Sequence, residues 1–194
     1  NITLAAEPET WPQWRGPNRD CQLAPRAWPT DLNPESLKQL YQVSLGDSYS
    51  GPIVTADRVF VTETVGKNEI TRAVDRATGR EIWKAEWLGS MKVPFFAASN
   101  GSWIRSTPAF ADGRLFVASM EDVLICLNTD NGKVLWRKDF RKEFGTGNQS
   151  FGFACSPLIV DGYVIVQTAA GLVKLNCETG DVAWRLLSED GGMM

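Results

Sequence analysis

A threefold internal repeat constrains the fold of this chain more than any other feature of its sequence. Trp83, Trp136 and Trp184 are 53 and 48 residues apart. A glycine lies four residues before each tryptophan, at Gly79, Gly132 and Gly180. A period of about 50 residues is typical of folds in which one supersecondary unit recurs and buries its faces against its own copies. We therefore expect three similar units packed side by side.

The same order of strand and turn signals occurs in each copy. A proline-led apolar run comes first, and an Ala-Asp-Arg, Ala-Asp-Gly or Val-Asp-Gly turn follows it. Asp and Gly supply the side-chain hydrogen bond and the positive φ that tight turns require. A β-branched and aromatic strand, a third strand, a second turn and the tryptophan-bearing strand complete the unit. The second strands are predicted at 59–64, 115–119 and 164–168, and the third at 70–74, 123–127 and 172–175.

Four antiparallel strands repeated at this period predict an all-β protein, a β-propeller of four-stranded blades. Three full blades are expected at about 51–87, 106–140 and 155–187, within a partial propeller of residues 37–194. Residues 1–36 are expected to be an N-terminal extension. Each repeat tryptophan is predicted to lie between adjacent blades, with its N–H bonded to a carbonyl.

Residues 37–45 predict one further strand, an outer strand before the first blade, with Tyr41 near the tryptophan position. In a closed propeller such a strand completes the last blade and removes a sheet edge. Residues 191–194 align with the residues that precede a new blade. Closed propellers need four to eight blades. We therefore expect the chain to be part of a longer polypeptide, of roughly 400 residues if eight blades of ~50 are assumed, with self-association as the alternative.

Composition and charge exclude several classes of function. The net charge of −3 gives no electrostatic reason to expect nucleic acid as a partner. The chain has no histidine, so a Ser-His-Asp triad, a Cys-His pair and an H-E-x-x-H zinc site are all excluded within it. No run of about 20 apolar residues is present, so no membrane span is predicted.

The four cysteines do not form a recognisable metal or redox motif. They are Cys21, Cys126, Cys155 and Cys177, with no C-x-x-C spacing and no adjacent pair. Most are expected to be small buried apolar residues. Cys126 and Cys177 occur near the ends of the same strand type in successive repeats, which permits a disulfide without requiring one.

Candidate binding residues lie in the two long connections between blades, residues 88–105 and 141–154. Long loops on a rigid scaffold are where binding residues are commonly found. The candidates are Phe95, Phe96, Trp103, Arg105, Asn148 and Gln149. We expect these loops to form a surface for a partner protein or a small ligand. The alternative is that they only cover the rim of the core.

The repeat resembles that of the pyrroloquinoline-quinone (PQQ)-like propellers. The resemblance rests on a Val/Leu-Asp/Asn pair, a glycine four residues after its Asp or Asn, and a tryptophan four residues after the glycine, followed by Lys or Arg. This family includes quinoprotein dehydrogenases and the outer-membrane-protein assembly lipoprotein. The opening 11–20 segment also resembles secreted bacterial members, with Cys21 where glycine is expected. The resemblance implies a periplasmic or secreted protein.

The resemblance implies two functions. A quinoprotein dehydrogenase would hold PQQ in the channel over a tryptophan and under a disulfide between adjacent cysteines, with Ca²⁺ and a catalytic aspartate nearby. This sequence has neither adjacent cysteines nor a C-x-x-C-H haem motif, and the acids Asp112, Asp161 and Asp181 fall at repeated turn or strand-edge positions. We therefore predict a non-catalytic scaffold that binds through its loops, with no catalytic, cofactor or metal residues. The alternative is a fragment of a PQQ-dependent dehydrogenase oxidising alcohols or sugars, with PQQ and calcium.

Overall fold

The computed structural model describes residues 9–22, 31–147 and 149–187. They form three four-stranded antiparallel sheets in which the strands lie in chain order. The first blade contains β1 (Ile53–Val54), β2 (Arg58–Val65), β3 (Asn68–Asp75) and β4 (Glu81–Leu88). The second contains β5 (Ala109–Ala111), β6 (Arg114–Ser119), β7 (Val123–Asn128) and β8 (Val134–Asp139). The third contains β9 (Leu158–Val160), β10 (Tyr163–Thr168), β11 (Gly171–Asn176) and β12 (Val182–Leu186). The predicted four-stranded blades are confirmed.

Two short helices lie in the long connections, for which no helix was predicted. A 3₁₀ helix spans Phe95–Asn100, and α1 spans Phe140–Phe144. Asp139 caps α1 by accepting a hydrogen bond from the backbone N–H of Lys142 at 3.1 Å. Among the described residues, no helix is long and apolar enough to cross a bilayer.

The turns have the geometry that their residues predict. Asp112 and Gly113 have φ of 48° and 71°, and Asp161 and Gly162 repeat this pair at 50° and 74°. Positive φ at both central residues suits the right-handed twist of a hairpin. The second turn is held by an Asp or Asn side chain, as where Asp75 Oδ1 accepts from the backbone N–H of Thr78 at 2.8 Å.

The repeat tryptophans join neighbouring blades. A Cβ added to Gly132 would lie 2.6 Å from the Trp83 ring, so the indole covers that glycine. The Trp83 indole N–H donates to the carbonyl of Thr129 at 2.7 Å. Trp136 repeats both contacts with the third blade, over Gly180 and with the carbonyl of Cys177 at 3.0 Å. The predicted position of the tryptophans between blades is confirmed for these two.

Tyr41 makes the same contact one blade earlier. A Cβ on Gly79 would lie 2.4 Å from its ring, so Tyr41 stands over Gly79 as Trp83 stands over Gly132. Its segment nevertheless differs from the predicted strand, since residues 37–45 have no strand assignment. The physical reason is that a strand requires a ladder partner, and none of the described strands pairs with this segment.

Two apolar clusters fill the spaces between blades. Phe60, Trp83 and Ile125 belong to the cluster between the first and second blades. Phe116 and Val166 belong to the one between the second and third. This burial against neighbours is the stabilising principle of stacked repeats.

The cysteines are free thiols in the described structure. Burial raises the pKa of Cys126 to about 12 and that of Cys177 to about 11. The disulfide that their spacing permitted is therefore not formed here.

Candidate functional site

Three phenylalanines from the two long connections form an exposed cluster, which we call the aromatic patch. Phe95 and Phe96 lie on the 3₁₀ helix and are 91% and 70% exposed. Their ring centroids are 5.6 Å apart, and Phe96 lies 6.3 Å from Phe151 of the next connection, both pairs edge to face. The patch thus brings together two of the predicted residues, and Phe151 from the second predicted loop joins them.

The aromatic patch rests on a small buried cluster. Val93 and Ala97 of the first connection pack against Met120, which follows β6. The Met120 carbonyl accepts a hydrogen bond from the backbone N–H of Phe153 at 3.3 Å. Met120 therefore lies beneath both connections and links them.

A cleft of about 870 Å³ lies beside the patch, and Phe151 lines both. The cleft collects the polar and aromatic side chains Trp14, Arg19, Tyr49, Arg105, Gln149 and Gln167. Among the described residues that line it, two are arginines and none is acidic. Such a cleft favours a negatively charged group.

Arg105 is the most constrained of the predicted candidates. Its guanidinium carbon lies 5.0 Å from the centroid of the Tyr49 ring, and Nη2 donates to the carbonyl of Gly101 at 3.1 Å. Its buried Nε has no hydrogen-bond partner among the described residues. Trp103 also packs against Tyr49, with the two ring centroids 5.4 Å apart. The structure therefore places Trp103 in a supporting position and leaves donor capacity on Arg105.

The remaining candidates are Gln149 and Asn148. Gln149 lines the cleft. Asn148 lies outside the described residues. The binding role of Asn148, like that of the other five candidates, stays a prediction.

Sequence reasoning missed the N-terminal contribution to the cleft. Trp11 pairs with Val54 of β1 through two backbone hydrogen bonds of 2.7 and 3.0 Å. The carbonyl of Pro12 accepts from Phe110 of β5 at 2.7 Å. Arg19 then donates to the carbonyl of Pro157, beside β9, at 3.3 Å. Residues 11–19, the inner segment, therefore cross all three blades at their first strands, which brings Trp14 and Arg19 into the cleft.

Two of the dehydrogenase features that the resemblance implies concern metal-binding side chains and cysteines. Within ranges 9–22, 31–147 and 149–187, no group of three or more Cys, Asp and Glu side chains is arranged to hold a metal ion. The four cysteines are free, and no two are adjacent in sequence.

Blades of this kind, stacked through tryptophan and glycine, define a β-propeller of the PQQ-like type. The family model described as outer membrane protein assembly factor BamB matches residues 66–194. The chain belongs to this family.

Individual relatives include both assembly factors and dehydrogenases. The chain is 26% identical over 145 residues to outer membrane protein assembly factor BamB of Yersinia pestis, covering 73% of this chain and 33% of that protein. It is 23% identical over 181 residues to quinoprotein alcohol dehydrogenase PedH of Pseudomonas putida, covering 85% of this chain and 29% of that protein. The chain thus spans about a third of the length of the curated relatives it matches.

Solved structures support the fold. Quinohemoprotein alcohol dehydrogenase ADHIIG from Pseudomonas putida HK5 superposes with a TM-score of 0.56 at 23% identity, over 74% of this chain and 21% of that one. The quinohemoprotein alcohol dehydrogenase of Comamonas testosteroni gives a TM-score of 0.53 at 21% identity, over 73% and 21%. At this sequence identity the structural similarity supports the blade architecture and nothing about function.

Proposed function

We propose that this chain is part of a non-catalytic propeller scaffold that binds a partner protein through the aromatic patch. The observation that carries the proposal is the exposure of Phe95 and Phe96, at 91% and 70%, on a loop with a buried base. Burying each ring in an interface would contribute on the order of 1.5–3 kcal/mol. Aromatic side chains held in place before binding are typical interface anchors.

The relatives support a protein partner and a periplasmic or secreted compartment. The Yersinia pestis relative is named an outer membrane protein assembly factor, which favours a protein as the partner of this chain too. It also favours a periplasmic or secreted location. The arginine-bearing cleft beside the patch would receive an acidic group of the partner, since no carboxylate among the described residues lines it.

Substitution of the patch tests the proposal. Partners captured from an envelope extract on immobilised chain would be purified, and their dissociation constants measured against defined variants. We expect Phe95→Ser/Phe96→Ser to weaken binding at least about tenfold. Val134→Ser/Leu135→Ser is the control, because it removes an adjacent pair of exposed apolar side chains from β8, outside the patch. Equal binding by the patch variant and the wild type would overturn the proposal.

The second candidate is a fragment of a PQQ-dependent dehydrogenase oxidising alcohols or sugars. The specific observation in its favour is the cleft, whose Arg19 and Arg105 suit an anionic ligand such as PQQ. Titration with PQQ and Ca²⁺, followed by absorbance and by dye-linked oxidation of an alcohol or sugar, tests it. Saturable binding that is lost in Arg105→Ala, together with substrate oxidation, would favour this candidate over the scaffold.

A further inference from the structure

Two buried carboxylates occupy equivalent positions in the first and second blades. Glu69 and Asp122 are 53 residues apart, the spacing of Trp83 and Trp136. Glu69 is 0% exposed and Asp122 is 2% exposed. Burial of a carboxylate is costly unless its oxygens receive hydrogen bonds, so the donors that each one receives are informative.

Glu69 receives its donors from two blades. Its Oε1 accepts from the backbone N–H of Met120 in the second blade at 2.8 Å. Its Oε2 accepts from the indole N–H of Trp87 at 2.9 Å. Gly89 approaches so closely that a Cβ there would lie 2.5 Å from Oε2. The carboxylate is thus enclosed and connects β3 to the loop that follows β6.

Asp122 repeats the contact one blade further on. Its Oδ2 accepts a hydrogen bond from the backbone N–H of Ala169 at 3.2 Å. Met120 directly follows the end of β6, and Ala169 directly follows the end of β10. The two acids therefore accept from equivalent backbone groups of the next blade.

The bonded loops are those that support the aromatic patch. Met120 packs beneath Val93 and Ala97 of the first connection. Ala169 is tied to the second connection through Gln149, whose amide, oriented to satisfy both neighbours, donates to the carbonyl of Gly152 at 2.9 Å. The Gln149 amide oxygen lies 2.7 Å from the Ala169 nitrogen, so Gln149 and Asp122 share the single Ala169 N–H in a three-centre hydrogen bond. Both carboxylates therefore act on the base of the patch without touching its surface.

We propose that Glu69 and Asp122 are positioning residues, each of which fixes from the preceding blade a loop beneath the aromatic patch, so that their ionisation sets how firmly the patch is held. The effect on partner binding rests on the proposed function. The effect on the loops themselves does not.

The charges and burial around the two acids determine the pH range over which their protonation changes. Burial raises the pKa of Asp122 to about 6, opposed by the hydrogen bond from Ala169 and by Arg141, and assisted by Asp139. Burial also raises the pKa of Glu69, opposed by the neighbouring Ser119 hydroxyl and by the hydrogen bonds from Met120 and Trp87, and assisted by Glu121. No described basic side chain forms an ion pair with Glu69. Protonation of either acid replaces a charge-assisted bond to the next blade with a weaker one.

Local anchoring and global stability should therefore change in opposite directions. A carboxyl whose folded pKa is raised contributes stability that is present below its unfolded pKa and is lost as pH rises through the folded value. For Asp122 this loss falls between about pH 4 and pH 6, because burial raises its pKa from the ordinary 3.8 to about 6. Over the same range the bond to Ala169 gains charge and strengthens, so the loop becomes better held as the whole domain becomes slightly less stable.

Hydrogen exchange measured from pH 5 to pH 7.5 tests the proposal without any partner. After correction for intrinsic exchange, protection of the Ala169 amide should rise severalfold toward pH 7.5 in the wild type. Asp122→Asn should remove that rise, and Glu69→Gln should lower protection at Met120. Glu86→Gln on β4 is the control, because its side chain is exposed. If Glu69→Gln fails to fold, Asp122→Asn alone decides.

The outcomes separate this inference from the proposed function. Unchanged protection of Ala169 across the pH range, or a pH response that survives in Asp122→Asn, would overturn the inference. The variant Phe95→Ser/Phe96→Ser should retain the pH response in full. If that variant also binds partners normally, the scaffold proposal fails while the positioning role stands.

Discussion

Trp83 of the first blade covers Gly132 of the second, and this contact joins the two sheets. Gly132 has a φ of 71°, and a Cβ there would lie 2.6 Å from the indole. The position therefore requires glycine for two reasons, its backbone conformation and the lack of space for a side chain beneath the indole.

Gly132→Ala should destabilise the chain by about 2–4 kcal/mol, because it combines a strained backbone with a clash between blades. Gly66→Ala is the control, since Gly66 has a φ of 62° but open space around it. That control isolates the backbone cost of about 1–2 kcal/mol. Urea unfolding monitored by tryptophan fluorescence gives both values. Equal losses in the two variants would show that the close approach of Trp83 has no energetic importance.

Glu63→Ala should destabilise far more than Glu81→Ala, although both acids pair with Arg72. Glu63 is 1% exposed and also accepts from the backbone N–H of Gly46, whereas the side chain of Glu81 is 44% exposed. Breaking a buried pair costs about 3–5 kcal/mol, and an exposed pair contributes about 0–1 kcal/mol. Denaturant unfolding of both variants measures the difference. Similar losses from the two would contradict the assigned burial.

Thiol modification at pH 8 should find Cys21 reactive and Cys126 inert. Cys21 is exposed, whereas burial raises the pKa of Cys126 to about 12, so almost no thiolate is present there. A chromogenic disulfide reagent should titrate Cys21 rapidly in the native chain and Cys126 only after unfolding. Cys21→Ser should abolish the fast phase. A fast phase that survives this substitution would assign it to another cysteine.

Cys21→Gly should stabilise the chain by about 1 kcal/mol. Cys21 has a φ of 62°, a conformation that costs a non-glycine residue about that much. Cys21→Ser retains the strain and serves as the control. Thermal unfolding compares both variants with the wild type, and a lower midpoint for Cys21→Gly than for the wild type would show that the thiol contact with Arg15 outweighs the strain.

The sequence predicts those features that depend on residues within one repeat or on the fixed spacing between repeats. The turns at Asp112 and Asp161 depend on residues within one repeat. The contacts of Trp83 and Trp136 with the next blade depend on residues at one fixed spacing along the chain. The pairing of Arg19 with Pro157 joins residues 138 positions apart and leaves no periodic signal. Glu69 and Asp122 share the repeat spacing, so comparing acidic residues between copies would have found them. Residues 37–45 do not form the expected strand, because strand formation depends on a pairing partner that the residues of the segment do not themselves specify.

Stacked repeats commonly unfold from their ends, one unit at a time, because each contacts only its neighbours. The inner segment changes this expectation, since a single stretch from Trp11 to Arg19 is hydrogen-bonded to the first strand of one blade after another. Detaching that segment would break hydrogen bonds to all three blades, so the segment couples their unfolding. Loss of the segment should therefore turn one cooperative transition into separable steps.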